Sequence, residues 1–248
     1  MKAVILAGGS GTRLRPLTLA TNKHLLSLYD RPVIYYAVEK LVDAGISKIM
    51  IVTSPQHVDD FVKLLGSGQN FSRPDGKQVQ IVYGVQNEPN GIAYGLYIAR
   101  DYIGEDNCVL YLGDNIIEDD ITDHVKSFKR GARVFLKEVS DPQRFGVAIL
   151  GKDSKVTKIV EKPKDPKSNL AVIGLYMYDN TVFEKMKNQP SSERGEYEIT
   201  YINNKYIDEK KLESVILKKT WFDIGTIDSL HEASVYMYAK KHGKRKKK

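Results

Sequence analysis

Cysteine and long apolar runs are what this sequence has least of. Cys108 is the only cysteine in 248 residues, so no disulfide can form within the chain, and its apolar neighbours indicate a small core residue. No stretch approaches the roughly 18 apolar residues that indicate a membrane span. The first apolar run stops at Ala7 and gives way to glycines, which is unlike a secretory signal. These absences predict a protein of the reducing cytoplasm.

Excess charge is also absent from most of the chain. The net charge is +7, but seven basic residues lie between Lys240 and Lys248, which leaves 31 basic residues to balance 31 acidic ones. The body of the protein is therefore neutral, and the composition does not favour a nucleic-acid-binding surface on it. We predict a disordered basic tail at 240–248, with contact to RNA or an acidic surface through this tail as the alternative.

The first half of the chain alternates short apolar runs with helical patterns. These patterns predict strands at 3–7, 48–53, 79–83 and 108–112, and helices at 33–44, 57–65 and 92–102. Such an order is typical of an α/β fold, a Rossmann-like mixed but mainly parallel sheet flanked by helices. Ligands of these sheets gather at the carboxyl ends of strands, where residues 8–13 and 113–115 are placed.

From residue 132 onward the pattern changes to closely spaced strands. We predict strands at 132–138, 147–150, 156–161, 171–178 and 214–218, and helices at 196–209 and 229–241. This smaller, β-rich part is predicted to be more nearly antiparallel. With no repeat and no linker-like stretch, the chain is predicted to form one domain over residues 1–239.

A glycine-rich loop follows the first predicted strand, from Gly8 to Arg13. Glycines let successive backbone N–H groups approach an anion, so the loop suits phosphate. No register of the loop supplies a Walker motif. It shares its first glycine spacing with dinucleotide-binding loops, and Asp30 stands near the sequence position where those folds have a ribose-binding acid. However, Leu14 replaces the third glycine, and Pro16 prevents a regular helix from starting at the loop. A solvated basic loop is the structural alternative.

Two aspartates stand out as candidate metal ligands. Asp114 follows the buried strand at 108–112, and Asp223 follows an aromatic pair near the end of the chain. Magnesium prefers oxygen ligands and commonly uses one or two carboxylates, with phosphate and water completing its shell. A capping aspartate is the alternative for Asp114, and sequence spacing alone does not bring the two acids together.

The loop and its continuation through Arg13 to Lys23 resemble the signature of the sugar nucleotidyltransferases. Further segments match motifs of that family in order, namely 86–93, 112–115, 144–147, 161–163, 172–176, 194–200 and 221–226. The resemblance extends from Lys2 to about Tyr238 and is strongest to the glucose-1-phosphate thymidylyltransferases. It implies the nucleotide-diphospho-sugar transferase type of fold, with residues 1–131 mainly binding nucleotide and residues 132–239 mainly binding sugar.

The resemblance also implies a reaction and a set of site residues. The expected reaction is Mg²⁺-assisted single displacement, in which dTTP and glucose 1-phosphate give dTDP-glucose and pyrophosphate. The expected catalytic residues are Arg13, Lys23 and Asp114, and the expected metal ligands are Asp114 and Asp223. The expected nucleotide-binding residues are Gly8, Gly9, Gly11, Thr12, Gln86 and Gly91. The expected sugar-phosphate-binding residues are Gly146, Glu161, Lys162, Val172, Tyr176 and Arg194.

Departures from the family pattern keep two other functions open. His24 and Tyr94 stand where glutamines are usual and Ser27 where a proline is usual, and the first two weaken the expectation of thymine selectivity. The amide of Gln86 can pair with the edge that thymine shares with uracil, so uridylyltransfer is the alternative reaction. A catalytically silent nucleotide-sugar-binding regulatory subunit is the alternative from another class, although such a protein would be expected to lose the metal acids or loop cations.

Assembly is open as well. Many relatives continue beyond the last helix into a helical segment that contributes to a subunit interface and a regulatory nucleotide site, whereas this chain ends in the basic tail. Tetramer formation and inhibition at a second site are therefore not carried over. Another homo-oligomer is compatible with the sequence, and the expected partners are small-molecule substrates.

Overall fold

The structure, a computed structural model, describes residues 1–243. The strands are β1 Lys2–Leu6, β2 Ser27–Leu28, β3 Arg31–Pro32, β4 Lys48–Thr53, β5 Gln80–Val85, β6 Cys108–Leu112, β7 Asn115–Ile117, β8 Ala132–Glu138, β9 Gly146–Leu150, β10 Val156–Glu161, β11 Leu170–Tyr178, β12 Leu212–Ile216 and β13 Trp221–Asp223. The α-helices are α1 Val33–Asp43, α2 Val58–Leu65, α3 Ile92–Ile98, α4 Arg100–Ile103, α5 Thr122–Ser127, α6 Val182–Lys185, α7 Ile199–Asp208 and α8 Ile227–Gly243.

One sheet of nine strands unites both halves of the chain. Its order is β10-β9-β11-β6-β1-β4-β5, and β8 pairs with β11 and β12. The strands β5, β4, β1 and β6 are parallel, whereas β11 runs antiparallel to β6, β8 and β9. The predicted mixed α/β sheet is therefore confirmed, and strands from residues 1–131 and from residues 132–239 share it.

The central strand β1 is buried on both faces. Ala3 and Ile5 belong to the core cluster on one face, with α1 and α2, and Val4 belongs to the cluster on the other face, with α3 and α7. Burial on both faces explains why β1 is a continuous apolar run rather than an alternating one. The carboxyl end of β1 then delivers the glycine-rich loop to one edge of the sheet.

Two helices have limits in the structure that differ from the predicted ones. The helix predicted at 92–102 is interrupted at Ala99 and forms α3 and α4. The helix predicted at 196–209 begins only at Ile199, because the preceding segment is hydrogen-bonded to the loop before α3. There Tyr197 donates its backbone N–H to Asn90 at 2.8 Å and accepts from Ala93 at 3.1 Å.

The predicted tail is helical where the structure describes it. Helix α8 continues through Gly243, so the prediction of disorder is wrong for 240–243, and residues 244–248 lie outside the described range. Lys240 pairs with Glu118, and Lys241 Nζ lies 2.5 Å from Asp30 Oδ2. These ion pairs hold the end of α8 against β7 and the β2–β3 hairpin. Among residues 1–243 there is no helix that is both long and apolar enough to cross a membrane.

Two short strands that the sequence did not predict determine the geometry of the site. Strand β13 pairs antiparallel with β7, and Asp223 stands opposite Asn115 in this register. The next backbone N–H, of Ile224, donates to the carbonyl oxygen of Asp114 at 2.9 Å. This pairing joins segments more than 100 residues apart in sequence, at the edge of the main sheet.

Candidate active site

A buried asparagine positions Lys23 beside the glycine loop. Asn22 donates from Nδ2 to the carbonyl oxygen of Ala7 at 2.9 Å, and its Oδ1 accepts from the His24 backbone N–H at 2.9 Å. It thus caps the single 3₁₀ turn that carries Lys23 and ties this turn to the end of β1. Lys23 Nζ then forms an ion pair with Asp114 Oδ2.

His24, the residue after Lys23, is an uncharged imidazole. Its Nδ1 lies 2.6 Å from Asn22 Oδ1, which can only accept a hydrogen bond, so Nδ1 carries the proton. Burial, reinforced by the charge of Lys23 and partly opposed by Asp114, lowers the pKa of His24 to about 3. The histidine that stands here in place of the family's usual glutamine therefore adds no charge beside Lys23.

The two candidate metal acids are brought together and differ in pKa. Burial acts to raise the pKa of Asp114, but the charge of Lys23 and the hydrogen bonds from Lys23 and Asn115 outweigh it, so the pKa falls to about 2. Burial and the neighbouring charge of Asp114 raise the pKa of Asp223 to about 6. Arg144 Nη2, 3.6 Å from Asp223 Oδ2, limits this rise.

This pair of carboxylates suits a magnesium ion that also binds substrate. Both acids supply hard oxygens, Asp114 from just before β7 and Asp223 from the end of β13, the strand that pairs with β7. Within residues 1–243 no group of three or more acidic, histidine or cysteine side chains could hold a metal ion. Phosphate and water oxygens would therefore complete the coordination, which is the usual arrangement for Mg²⁺ at phosphate sites.

The protonation of Asp223 predicts an unusual dependence of stability on pH. Because the pKa of Asp223 is about 6 in the folded protein and 3.8 ordinarily, the folded state holds a proton that the unfolded state has lost between these values. Stability from this group therefore falls as pH rises through that window. We expect Tm in chelator to fall from about pH 4 to 6 relative to Asp223→Asn, measured by thermal unfolding. Parallel profiles of the two proteins would contradict the prediction.

A cleft of ≈ 280 Å³ lies between the glycine loop and the start of α3. The predicted residues that line it are Gly8, Gly9, Lys23, Gln86, Gly91 and Asp114. Gly91 has φ of +98°, and a Cβ there would lie 2.7 Å from the Tyr197 carbonyl oxygen. Only glycine fits this position without strain, which explains how the loop can pack so closely on the segment before α7.

The remaining loop residues lie at the edge of this cleft or outside it. Gly11 and Thr12 do not line the cavity, and Gly11 accepts a hydrogen bond from Thr18 Oγ1 at 2.7 Å. Arg13 lies near Asp223, since both side chains flank Gly225, where a Cβ would lie 2.9 Å from Arg13 Nη2 and 3.1 Å from Asp223 Oδ2. Arg13 is thus available to an anion held between the loop and Asp223.

A second cleft, of ≈ 180 Å³, adjoins the first. It contains all six predicted sugar-phosphate residues, which are Gly146, Glu161, Lys162, Val172, Tyr176 and Arg194. Thr200 Oγ1 donates to Glu161 Oε2 at 2.6 Å and fixes the carboxylate. Arg194 is held 2.7 Å from Glu198 Oε1. Ile92, Leu112 and Glu196 line both clefts, so ligands in the two would be in contact.

Several residues at the site were not assigned from the sequence. Asn115 directly follows Asp114, and Trp221 precedes Asp223 by two residues, so closeness in sequence to a predicted metal acid was the available signal. Tyr94, which stands where the family usually has a glutamine, lines a small cavity with Tyr97 and Tyr197 and does not line the first cleft. The hydrogen bond from Thr200 to Glu161 had no local signal, since 39 residues separate them.

Known proteins share both the sequence and the fold. Residues 2–240 match the family model described as nucleotidyl transferase. A glucose-1-phosphate thymidylyltransferase of Mycolicibacterium smegmatis is 42% identical over 242 residues, which are 96% of this chain and 82% of that protein. The chain is thus shorter than this relative.

Two solved structures are also similar. A Bacillus anthracis protein provisionally named glucose-1-phosphate thymidylyltransferase, solved with sucrose, is 46% identical with a TM-score of 0.88, over 95% of this chain and 94% of that one. A UDP-glucose pyrophosphorylase bound to UDP-glucose is 25% identical with a TM-score of 0.82, over 96% and 98% of the two chains. With the family model spanning nearly the whole sequence, this chain is a member of the nucleotidyl transferase family.

Proposed function

We propose that the protein transfers a thymidylyl group from dTTP to glucose 1-phosphate, giving dTDP-glucose and pyrophosphate. The observation that carries the proposal is that two adjoining clefts bring together the Lys23–Asp114 ion pair, which lines the first cleft, and Asp223, which lines the second. A nucleoside triphosphate in the first cleft and a sugar phosphate in the second would meet beside two carboxylates. The names of relatives about 40% identical support the same reaction and substrates.

The residues of the two clefts suit an in-line displacement. A phosphate oxygen of glucose 1-phosphate forms a bond to the α-phosphorus of dTTP, and the bond from that phosphorus to the bridging oxygen breaks, so that pyrophosphate leaves with its electron pair. Lys23 and Arg13 offset the negative charge of the phosphates and of the leaving pyrophosphate. Holding both anions together removes much of the entropic barrier. Mg²⁺ held by Asp114 and Asp223 would supply further positive charge to phosphate oxygens.

The sugar end has a separate set of contacts. Glu161, fixed by Thr200, would accept hydrogen bonds from sugar hydroxyls. Lys162 and Arg194 line the same cleft and would bind the phosphate of the sugar. Lys162 has φ of +41°, which is uncommon for a residue with a side chain and is typical of functional sites.

The amide of Gln86 suits a pyrimidine base but does not distinguish thymine from uracil. Gln86 donates from Nε2 to the Glu88 carbonyl oxygen at 2.9 Å, which fixes the orientation of its amide. The other amide hydrogen and Oε1 are then free for O4 and N3–H, which both bases present. Uridylyltransfer to glucose 1-phosphate is therefore the second candidate, favoured by the similarity to the UDP-glucose pyrophosphorylase.

Pyrophosphate release across a panel of substrates tests the proposal. Purified protein with Mg²⁺ is assayed against dTTP, UTP, dCTP, ATP and GTP, each with glucose, galactose, mannose or N-acetylglucosamine 1-phosphate. We expect kcat/KM to be highest for dTTP with glucose 1-phosphate. A clear preference for UTP would replace this function with the second candidate. Release from none of the pairs would indicate the silent regulatory subunit.

We further propose that the reaction takes place in the cytoplasm, with small molecules as the only partners it requires. The near-neutral composition of the body of the chain supports this proposal, because nucleic-acid binding depends on an excess of Lys and Arg at the phosphates. The sole thiol, Cys108, is fully buried, and burial raises its pKa to about 12, which keeps it protonated and unreactive.

A further inference from the structure

The side chain of Asn115 connects three parts of the site. This amide is 2% exposed, and its Nδ2 donates to Asp114 Oδ1 at 2.9 Å. Its Oδ1 accepts from the Gly174 backbone N–H at 3.0 Å and from Trp221 Nε1 at 2.7 Å. A reversed amide would place its NH₂ group against two N–H donors, so this orientation is strongly preferred. Three segments, on β7, β11 and β13, therefore share one buried amide.

Trp221 contributes to both the sugar cleft and this hydrogen-bond network. Its indole lines the cleft beside Phe145, with ring centroids 5.4 Å apart and the rings at 66°. Its N–H donates to Asn115, which lines the same cleft. Trp221 begins the strand that ends at Asp223. It is the only tryptophan in the sequence, so its fluorescence reports on this place alone.

Both oxygens of Asp114 are fixed by these contacts. Lys23 pairs with Oδ2 and Asn115 donates to Oδ1, so the plane of the carboxylate is set from two sides. A rotation of the Asn115 amide would remove one of these two constraints. The indole N–H opposes that rotation, because it is one of two donors that hold Asn115 Oδ1 in place.

We propose that Trp221 is a positioning residue of the metal site, which acts through Asn115 to orient the carboxylate of Asp114. The hydrogen-bond relay from Trp221 to Asn115 to Asp114 links the wall of the sugar cleft to the acid expected to bind Mg²⁺. A sugar that shifts the indole would alter the carboxylate, and binding at the carboxylate would alter the surroundings of the indole. The inference rests on the proposed function for the identity of the ion.

A double-mutant cycle tests the relay. Trp221→Phe keeps an aromatic ring and removes the N–H, and Asn115→Ser removes the amide. We expect each variant to raise the Mg²⁺ concentration for half-maximal activity by about three- to ten-fold, with little change in KM for dTTP. The double variant is expected to match Asn115→Ser alone, because Trp221 acts through Asn115.

The control variant lies on the same strand. Phe222→Leu changes the residue next to Trp221. The Phe222 ring packs against Tyr236, with ring centroids 5.3 Å apart. The Phe222→Leu variant is expected to leave the Mg²⁺ requirement unchanged. An equal rise in this variant would show general loosening of β13 and overturn the proposal, as would additive effects of the two relay variants.

Tryptophan fluorescence supplies a readout that does not depend on turnover. In the wild type, Mg²⁺ with dTTP is expected to change the Trp221 emission, and in folded Asn115→Ser this change should fall by about half or more. An unaltered emission change in that variant would overturn the relay. Because the titration needs no sugar substrate, it tests the relay even if the substrate panel refutes the proposed reaction.

Discussion

Asp114→Asn is expected to lower kcat by about 10³-fold or more while the protein stays folded. The substitution keeps the shape of the side chain and removes the charge that both Lys23 and the expected metal ion require. In the wild type this carboxylate is fully ionised at neutral pH, because Lys23 and Asn115 hold its pKa near 2 despite burial. Pyrophosphate release with saturating dTTP, glucose 1-phosphate and Mg²⁺ measures the effect.

A matched control for this variant is Asp120→Asn. Asp120 is an exposed acid that accepts the Thr122 backbone N–H through Oδ1 at 2.8 Å, a bond that asparagine also accepts. The activity of the Asp120→Asn variant should equal that of the wild type. Wild-type turnover in Asp114→Asn would contradict the assignment of the whole site, because Asp114 is the acid that pairs with Lys23 in the first cleft.

Lys23→Met is expected to lower kcat by about 10²- to 10³-fold, with a smaller change in the KM for each substrate. Methionine preserves most of the stem, which passes close to the loop, where a Cβ on Gly9 would lie 3.1 Å from Lys23 Cε. What is lost is the cation of the first cleft, which is expected to offset the negative charge that passes to pyrophosphate. Steady-state kinetics with each substrate varied in turn separates the effect on kcat from binding.

The Lys23 variant should also change the state of Asp114. Without its ion-pair partner the buried carboxylate is expected to bind a proton more readily, so residual activity should require a higher pH than wild-type activity. Lys48→Ala, at an exposed position at the start of β4, is the control for loss of one positive charge. An unchanged kcat in Lys23→Met would contradict the proposed role.

The local features of the fold could be predicted because they depend on neighbouring residues. The apolar run of β1 and the glycines after it predicted a buried strand and an anion-binding loop, and the patterns at 132–138 and 156–161 gave the limits of β8 and β10. The limits of α7 could not be predicted from its helical pattern. Residues 196–198, the predicted first turn, are not helical, because Tyr197 forms backbone hydrogen bonds with Asn90 and Ala93, about 100 residues away in sequence.

The basic end of the chain shows the same limit. Its composition favours solvated disorder, yet Lys240 and Lys241 lie in α8 and pair with Glu118 and Asp30. These acids are far away in sequence, so composition could not reveal that they neutralise the helix end. Charge counting predicted the neutrality of the body correctly but not where the tail begins.

The sequence by itself determined the chemical groups of the site, since the loop cations, the two acids and the sugar-side motifs are all readable as short segments. Only the tertiary structure decided which of them meet. The register of β7 and β13 places Asp223 opposite Asn115, and the cap by Asn22 turns Lys23 toward Asp114. Strand pairing depends on hydrogen bonds and packing between segments distant in sequence, and the pattern within either segment does not specify its partner.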